Sequence, residues 1–487
     1  MKFPMRYFIF VVWLLPLAGI LQFIPDGFDI QWAEFFWVLK NTIIQAVGST
    51  FFTLSLGFIG SLGLLWLSSV RYFKTLVFIE ILLIVPSFLP SLFIILASLQ
   101  MIDPFPMGRI GIIFVHGMMN FGIISVIMSQ LMIKKISGFS ETAATLGIKF
   151  WQFLFKVVLP ILREDLMRLS FFIFSICFIS FTVPITVGGG RGTTIEVLIY
   201  EKIRSGESWS QALTLSLIQL LFLFLISLTM KRFIGLKSSS TNTVVQILPK
   251  SFGLYFILFI SLWLYGSFVI GFFQGLSQIN DLLEMKEVIF QAILNTYILS
   301  VSGGLILAAS YLYIGFLWPD RWLEKILNGI VAPSTVLIGF GIILLFQKLD
   351  FKHEWFRLQF GLWVLFFPTL LRWLGLSVLK GLESQILSAE VLGAKRVQIF
   401  NKIIFPQILK TATWVGGVGA FWISGEFALS RIIMNQDKTL GLIAQSFISS
   451  YRLSLGTVIC GLMIFCGLLS FLTIRGFEYV FDQKFKS

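Results

Sequence analysis

Histidine and cysteine are scarce in this chain, with two of the first and three of the second in 487 residues. His116 and His353 are too few and too scattered to build a zinc or haem site of the usual kind. Cys177, Cys460 and Cys466 lie inside apolar stretches, which excludes a disulfide framework and a CxxC metal site. Charge is scarce too: 13% of residues are charged and 57% are hydrophobic, against roughly 25% and 45–50% in a globular protein. A soluble core could not hide that apolar surplus, and a disordered chain would not contain it. A polytopic membrane protein remains. The net charge of +13 does not point to nucleic acid, because the Lys and Arg residues sit between apolar runs rather than on one soluble face.

A hydrocarbon core ~30 Å thick takes about 20 apolar residues per helix. Cut at its charges, the chain gives six spans near Tyr7–Ile24, Asn41–Leu67, Leu76–Leu99, Ile110–Ile133, Met167–Val187 and Ala212–Met230. Six more follow near Ser251–Phe273, Val288–Leu317, Ile326–Phe346, Leu358–Leu379, Thr411–Ala428 and Leu453–Ile474. The fold class is therefore all-α, with about twelve transmembrane helices. With Lys2 and Arg6 on the cytoplasmic side the basic residues concentrate inside, and an even span number returns Lys484 and Lys486 there. The first span lacks an A-x-A cleavage site and runs into Pro25 and Asp26, so it reads as an anchor rather than a signal peptide.

The polar stretch around Ser238, Ser239, Ser240, Thr241 and Asn242 divides six spans from six. It sets a first domain at 1–232, a linker at 233–250 and a second domain at 251–487. The halves share landmarks: Pro86 with Pro333, Gly147 with Gly393, Pro160 with Pro406, and Thr194 with Thr439, all at offsets of 245 to 247 residues. Asn41-Thr42 and Asn295-Thr296 open equivalent spans at an offset of 254. Because each half holds six spans the copies share one orientation, a parallel repeat with a pseudo-twofold axis along the membrane normal.

Between the fourth and fifth spans runs Glu141-Thr142-Ala143-Ala144-Thr145-Leu146-Gly147, then nine residues, then Val157-Val158-Leu159-Pro160. The second half repeats it in degraded form over 387–406, with Ala389, Gly393, Ile403 and Pro406 in register, Leu387 in place of the Glu and Phe405 in place of the Leu. Each loop is expected to form a short helix pair, with Glu141 in a first turn, Gly147 at the bend and Pro160 opening the next segment. The pattern resembles the signature loop of bacterial ABC importer permeases, E-A-A, three residues, Gly, nine residues, Ile-x-Leu-Pro. Pro86 and Pro90 match a Pro-x-x-x-Pro feature of the same family, and two fused domains resemble its thiamine and iron(III) subgroup. Phe181 to Gly190 followed by Thr193, Thr194, Ile195 and Glu196 is most similar to the thiamine type.

The resemblance implies a type I importer transmembrane fold in a bacterial inner membrane, with no catalysis by the chain itself. Glu141, Ala143, Gly147, Pro160, Ala389, Gly393 and Pro406 would couple it to two cytoplasmic ABC ATPase subunits. A periplasmic or extracellular solute-binding protein would deliver the solute. No G-x-x-x-x-G-K-[ST] occurs, so the chain has no P-loop and is expected to bind no cofactor; ATP and Mg would sit in the partner subunits. Gly188-Gly189-Gly190-Arg191-Gly192 reads as a turn, since no strand precedes it. Glu80, Arg372 and Glu426 are ionisable residues within spans. Of these, Glu426 is the candidate for the solute pathway, either meeting a cationic solute or capping a helix. The alternative reading is an ion-coupled secondary transporter with two six-helix halves, which the few intramembrane acids disfavour.

Overall fold

The computed structural model describes residues 12, 14–21, 30–70, 73–205, 209–231, 251–319, 334–351, 353–436 and 438–486. Among them every regular element is helical and none is a strand. A chain this apolar can satisfy its backbone in lipid only within helices or a closed barrel. Among the described residues six helices are long and apolar enough to cross a membrane: Trp32–Ser69, Arg109–Thr145, Phe252–Leu276, Lys286–Leu317, Glu354–Gly381 and Leu453–Tyr479. Half of the first expected span lies outside the described residues, as do the linker at 233–250 and the beginning of the span near Ile326–Phe346.

The third expected span differs from its sequence reading. It breaks into Lys74–Phe88 and Ser91–Met101, bent by 102°. Pro86 lacks the N–H its turn needs, and Pro90 forces the residue before it out of the helical region. Counted as one, this bent pair makes a seventh crossing. The fifth expected span is likewise a helix, Leu159–Phe178, followed by a separate short helix, Thr182–Val187. The eleventh resolves into Phe405–Ser424 and Ala428–Ile433.

Two compact units emerge, and neither follows chain order. One contains Gln31–Leu198 with Gln219–Phe273; the other contains Gln274–Ser487 with Ile199–Ile218 and the described part of Met1–Ile30. In the first unit the helix Ser251–Leu276 presses on Trp32–Ser69 so closely that a Cβ on Gly63 would lie 2.4 Å from the Leu254 nitrogen. Tyr265 donates to the Leu82 carbonyl at 2.9 Å, and the Phe93 and Phe268 rings pack at 4.1 Å. In the second unit a Cβ on Gly341, in the helix Thr335–Lys348, would meet the Pro16 carbonyl oxygen at 2.0 Å. Lipid supplies no hydrophobic drive between helices, so small residues that let backbones touch set these pairings.

Candidate functional site

The two signature loops have the same backbone. In the first, the helix Arg109–Thr145 stops at Leu146 and Gly147 takes φ +64°. The Ile148 N–H reaches back to the Ala143 carbonyl at 3.0 Å and the Gly147 N–H to Ala144 at 3.1 Å. In the second, the helix Glu383–Val391 stops at Leu392 and Gly393 takes φ +80°. There the Ala394 N–H reaches the Ala389 carbonyl and the Gly393 N–H reaches Glu390, both at 3.0 Å. Both are Schellman-type ends, in which a left-handed residue lets the chain turn back on the last carbonyls. Glycine takes that conformation without a Cβ penalty, which is why it recurs at this position.

After the turn both loops re-enter a helix through a widened turn. Phe150–Phe153 leads into the π-turn Leu154–Val158 and then Leu159–Phe178; Arg396–Ile399 leads into Phe400–Ile404 and then Phe405–Ser424. Every boundary keeps the 246-residue offset. Pro160 and Pro406 stand in the first positions of the helices that follow. A proline removes one N–H and crowds the carbonyl four residues back, and a π-turn is one way a continuous helix accommodates both.

Ala143 is small because it is buried among Met132, Ile136, Phe153, Leu154 and Val158, in a cluster under the first loop. Ala389 is buried in the same register. Glu141, Gly147, Pro160, Gly393 and Pro406 are exposed, and open space surrounds the position of a Cβ on either glycine. Glu141 is not in a first turn. It lies near the C-terminal end of the 37-residue helix Arg109–Thr145, where the helix dipole gives it no favourable bias. Sequence reading started a helix where a longer one was ending. Lys135 and Asp165 tie the two arms of the first loop at 2.5 Å, with Asp165 buried and Arg168 3.6 Å from its other oxygen. In the second loop Arg396 pairs with Glu390 at 3.2 Å and donates to the Phe316 carbonyl at 2.7 Å. Glu390 is therefore engaged within its own loop and does not stand in for the missing Glu at Leu387.

A second matched pair had shown in the sequence only as a common start of two spans. Thr42 accepts from the Ile195 N–H at 3.0 Å, and Thr296 accepts from the Leu440 N–H at 3.0 Å. Ile195 and Leu440 are the first residues of helices ending at Ser205 and Ser449, so their N–H groups have no partner within those helices. The adjoining Asn41 donates to the Arg191 carbonyl at 3.4 Å and Asn295 to the Lys438 carbonyl at 3.0 Å. Each Asn-Thr pair thus fixes the entry to a helix some 150 residues away.

Glu426 accepts from the Leu429 N–H at 2.7 Å and the Ser430 N–H at 3.2 Å, so its carboxylate caps the short helix Ala428–Ile433. Ser180 holds the equivalent place in the first half, and its hydroxyl is 2.9 Å from His116 Nε2. His116 Nδ1 is 3.2 Å from the Ser49 hydroxyl, so this buried ring ties two long helices to the break between Leu159–Phe178 and Thr182–Val187. Glu80 is half-buried, and Arg372 is exposed on a π-turn, Leu371–Gly375. The run Gly188 to Gly192 is a turn with left-handed Gly189 and Gly190, and a short helix rather than a strand leads into it. The three cysteines are buried and free, and no cluster of His, Cys, Asp and Glu among the described residues could hold a metal ion.

Among the described residues the chain is all-helical, with several membrane-length helices and one loop built twice in the same register, as a transport permease would have. Comparison with known proteins places it among such relatives. It is 25% identical over 393 residues to the thiamine transport system permease protein ThiP of Haemophilus influenzae, covering 74% of this chain and 71% of that one. With ThiP of Escherichia coli it shares 32% over 116 residues, 24% of this chain and 22% of the other. With the ferric transport system permease protein FbpB of Actinobacillus pleuropneumoniae it shares 24% over 222 residues, 44% of this chain and 30% of that one. The resemblance to importer permeases of the thiamine and iron(III) subgroup, drawn from the loops, agrees with these relatives. No family model matches the chain, and no solved structure does.

Proposed function

We propose that this chain is the membrane-embedded permease of an ATP-driven ABC importer. It would carry twelve helices in two parallel six-helix repeats, joined by the linker at 233–250, with both termini cytoplasmic. The observation that carries the reading is the identity of the two loops: turn, left-handed glycine, re-entry and π-turn recur at a constant offset. A loop that only satisfied topology needs no such repetition, whereas two copies of an ATPase need two matched grips. Two cytoplasmic ATPase subunits would hold the loops around Gly147 and Gly393, and their ATP and Mg would drive a central pathway between inward and outward openings. A solute-binding protein would supply the solute from outside. The solute class favoured by the relatives is thiamine or a related compound, with ferric iron second. The ion-coupled alternative leaves the paired loops without a purpose.

The test is co-purification with the ABC ATPase subunits of the same genome, for the wild type and for Gly147→Arg with Gly393→Arg. Left-handed φ makes each substitution cost about 1–2 kcal/mol, yet open space around both positions leaves room for the side chains. Stoichiometric capture that the folded double variant loses supports the reading. A folded wild type that captures no ATPase and moves solute with an ion gradient overturns it.

A further inference from the structure

The constant register allows the arm before the turn to be compared position by position in the two loops. On the first, one run of exposed residues is Glu141, Thr142, Thr145 and Leu146, and on the second Leu387, Ser388, Val391 and Leu392, with Ala144 and Glu390 exposed at the matching flank. These positions fall on one side of their helices, and the opposite side carries the buried Ala143 and Ala389. The first face bears a carboxylate and two threonines beside Leu146, which is 70% exposed and matches Leu392. The second is apolar, with Leu387, Val391 and Leu392 exposed by 47%, 87% and 86%. Large apolar side chains left that open on a loop mark a surface that meets another molecule. The basic residues do not separate the loops, because Lys149 matches Lys395 and Lys156 matches Lys402. Glu390 does not restore the charge, since its carboxylate meets Arg396 at 3.2 Å. The first loop has its exposed apolar pair, the stacked Trp151 and Phe155, on the other arm.

From this we infer that the chain holds its two ATPase subunits by different chemistry: the first loop electrostatically through Glu141, the second hydrophobically through Leu387 and Val391, which replace Glu141 and Thr145. The inference rests on the coupling role proposed above and adds what the groove on each ATPase copy must offer, a basic group that the first loop uses and an apolar cleft that the second uses. Attraction between exposed charges is screened within about 3 Å at 1 M salt, against about 10 Å at 0.1 M, while apolar burial survives or strengthens. The two grips should then part on salt alone.

The experiment counts ATPase subunits retained per detergent-solubilised chain, without nucleotide, at 0.1 and 1 M NaCl. The wild type should fall from two to one. Glu141→Gln should hold one at both concentrations, and Leu387→Gln with Val391→Gln should hold one at low salt and none at high. All these positions are exposed, and matching thermal unfolding of the three proteins checks that folding is retained. Loss of both subunits together, equal effects of the two variants, or salt-resistant capture by the Leu387→Gln and Val391→Gln variant overturns the inference. The last result would leave the exposed apolar Trp151 and Phe155 of the first loop as the hold. Absence of capture at either concentration overturns the coupling role itself, and this inference with it.

Discussion

Replacing Thr42 with valine should remove one hydrogen bond acceptor and almost nothing else. Thr42 is fully buried, and valine has its shape without its hydroxyl. Its Oγ1 takes the Ile195 N–H at 3.0 Å and donates to the Val38 carbonyl at 2.8 Å. The second loss is small, because that carbonyl lies within the helix Trp32–Ser69. The first leaves a buried N–H with no acceptor, worth about 1–3 kcal/mol. At about 2–4 °C per kcal/mol for a unit of 150–250 residues, the midpoint of thermal unfolding should drop by about 2–12 °C. Thr42→Ser keeps the acceptor and should recover most of the loss. Thermal unfolding in detergent gives the size of the effect, and hydrogen exchange at the Ile195 amide gives its location. The same substitution at Thr296 should act alike on Leu440, and since the two share no partner their costs should add. An unchanged midpoint together with an Ile195 amide still protected from exchange in Thr42→Val would refute the reasoning.

Other outcomes follow from single contacts. Lys135→Met leaves Asp165 buried with only Arg168 near it, so it should destabilise more than the combined Lys135→Met and Asp165→Leu, in a double-mutant cycle read by thermal unfolding. Gly122→Ala puts a Cβ 1.8 Å from the Leu83 carbonyl oxygen and should prevent a folded yield, whereas Gly138→Ala, with nothing within 4 Å, should leave yield and midpoint unchanged. Glu426→Ala should cost about 0.5–2 kcal/mol through loss of the cap, and Glu426→Gln, which keeps an acceptor, should cost less. If both Glu426 variants unfold like the wild type, the cap carries no stability there.

Much of the architecture was legible because it rests on composition and on residues with a single backbone use. The apolar excess announced membrane helices, and Gly147 and Gly393 marked left-handed turns that few other residues make. What escaped had no sequence period. The 102° break near Pro86 and Pro90 reads as a continuous apolar run, since hydropathy does not register a missing N–H. The π-turns before Pro160 and Pro406 add a residue to a helix without altering its composition. Glu141 was placed at a helix start because its sequence surroundings resemble one; only the 37-residue length of Arg109–Thr145 shows it near an end. The exchange of Ile199–Ile218 and Gln219–Phe273 between units is decided by backbone contacts such as Gly63 against Leu254, which no local pattern encodes.

The repeat also shows what duplication preserves in a membrane. Backbone devices persist at matching positions: the Asn-Thr pair, the left-handed glycine and the π-turn, each of which satisfies or redirects main-chain groups that lipid cannot solvate. The carboxylates of these regions do not persist, although Lys149 and Lys156 recur as Lys395 and Lys402. Where one half has Glu426 accepting from the N–H groups of the next short helix, the other has Ser180 bound to His116. Where one half has the buried Glu196 bonded by Gln219, the other has Gly441, at which a Cβ would lie 3.2 Å from the Glu426 carbonyl oxygen. A carboxylate at 441 would crowd the turn that Glu426 already caps. Each half therefore holds an acid in this region at a different place, and copying Glu196 onto 441 would press its Cβ against the Glu426 carbonyl at a buried position. The same logic governs the loops, where the shared backbone leaves the exposed face free to become Glu141 in one copy and Leu387 in the other. Transferring Glu to Leu387 should consequently be tolerated by the fold, while transferring it to Gly441 should not, and thermal unfolding of Leu387→Glu beside Gly441→Glu separates a surface free to vary from a buried position that is not.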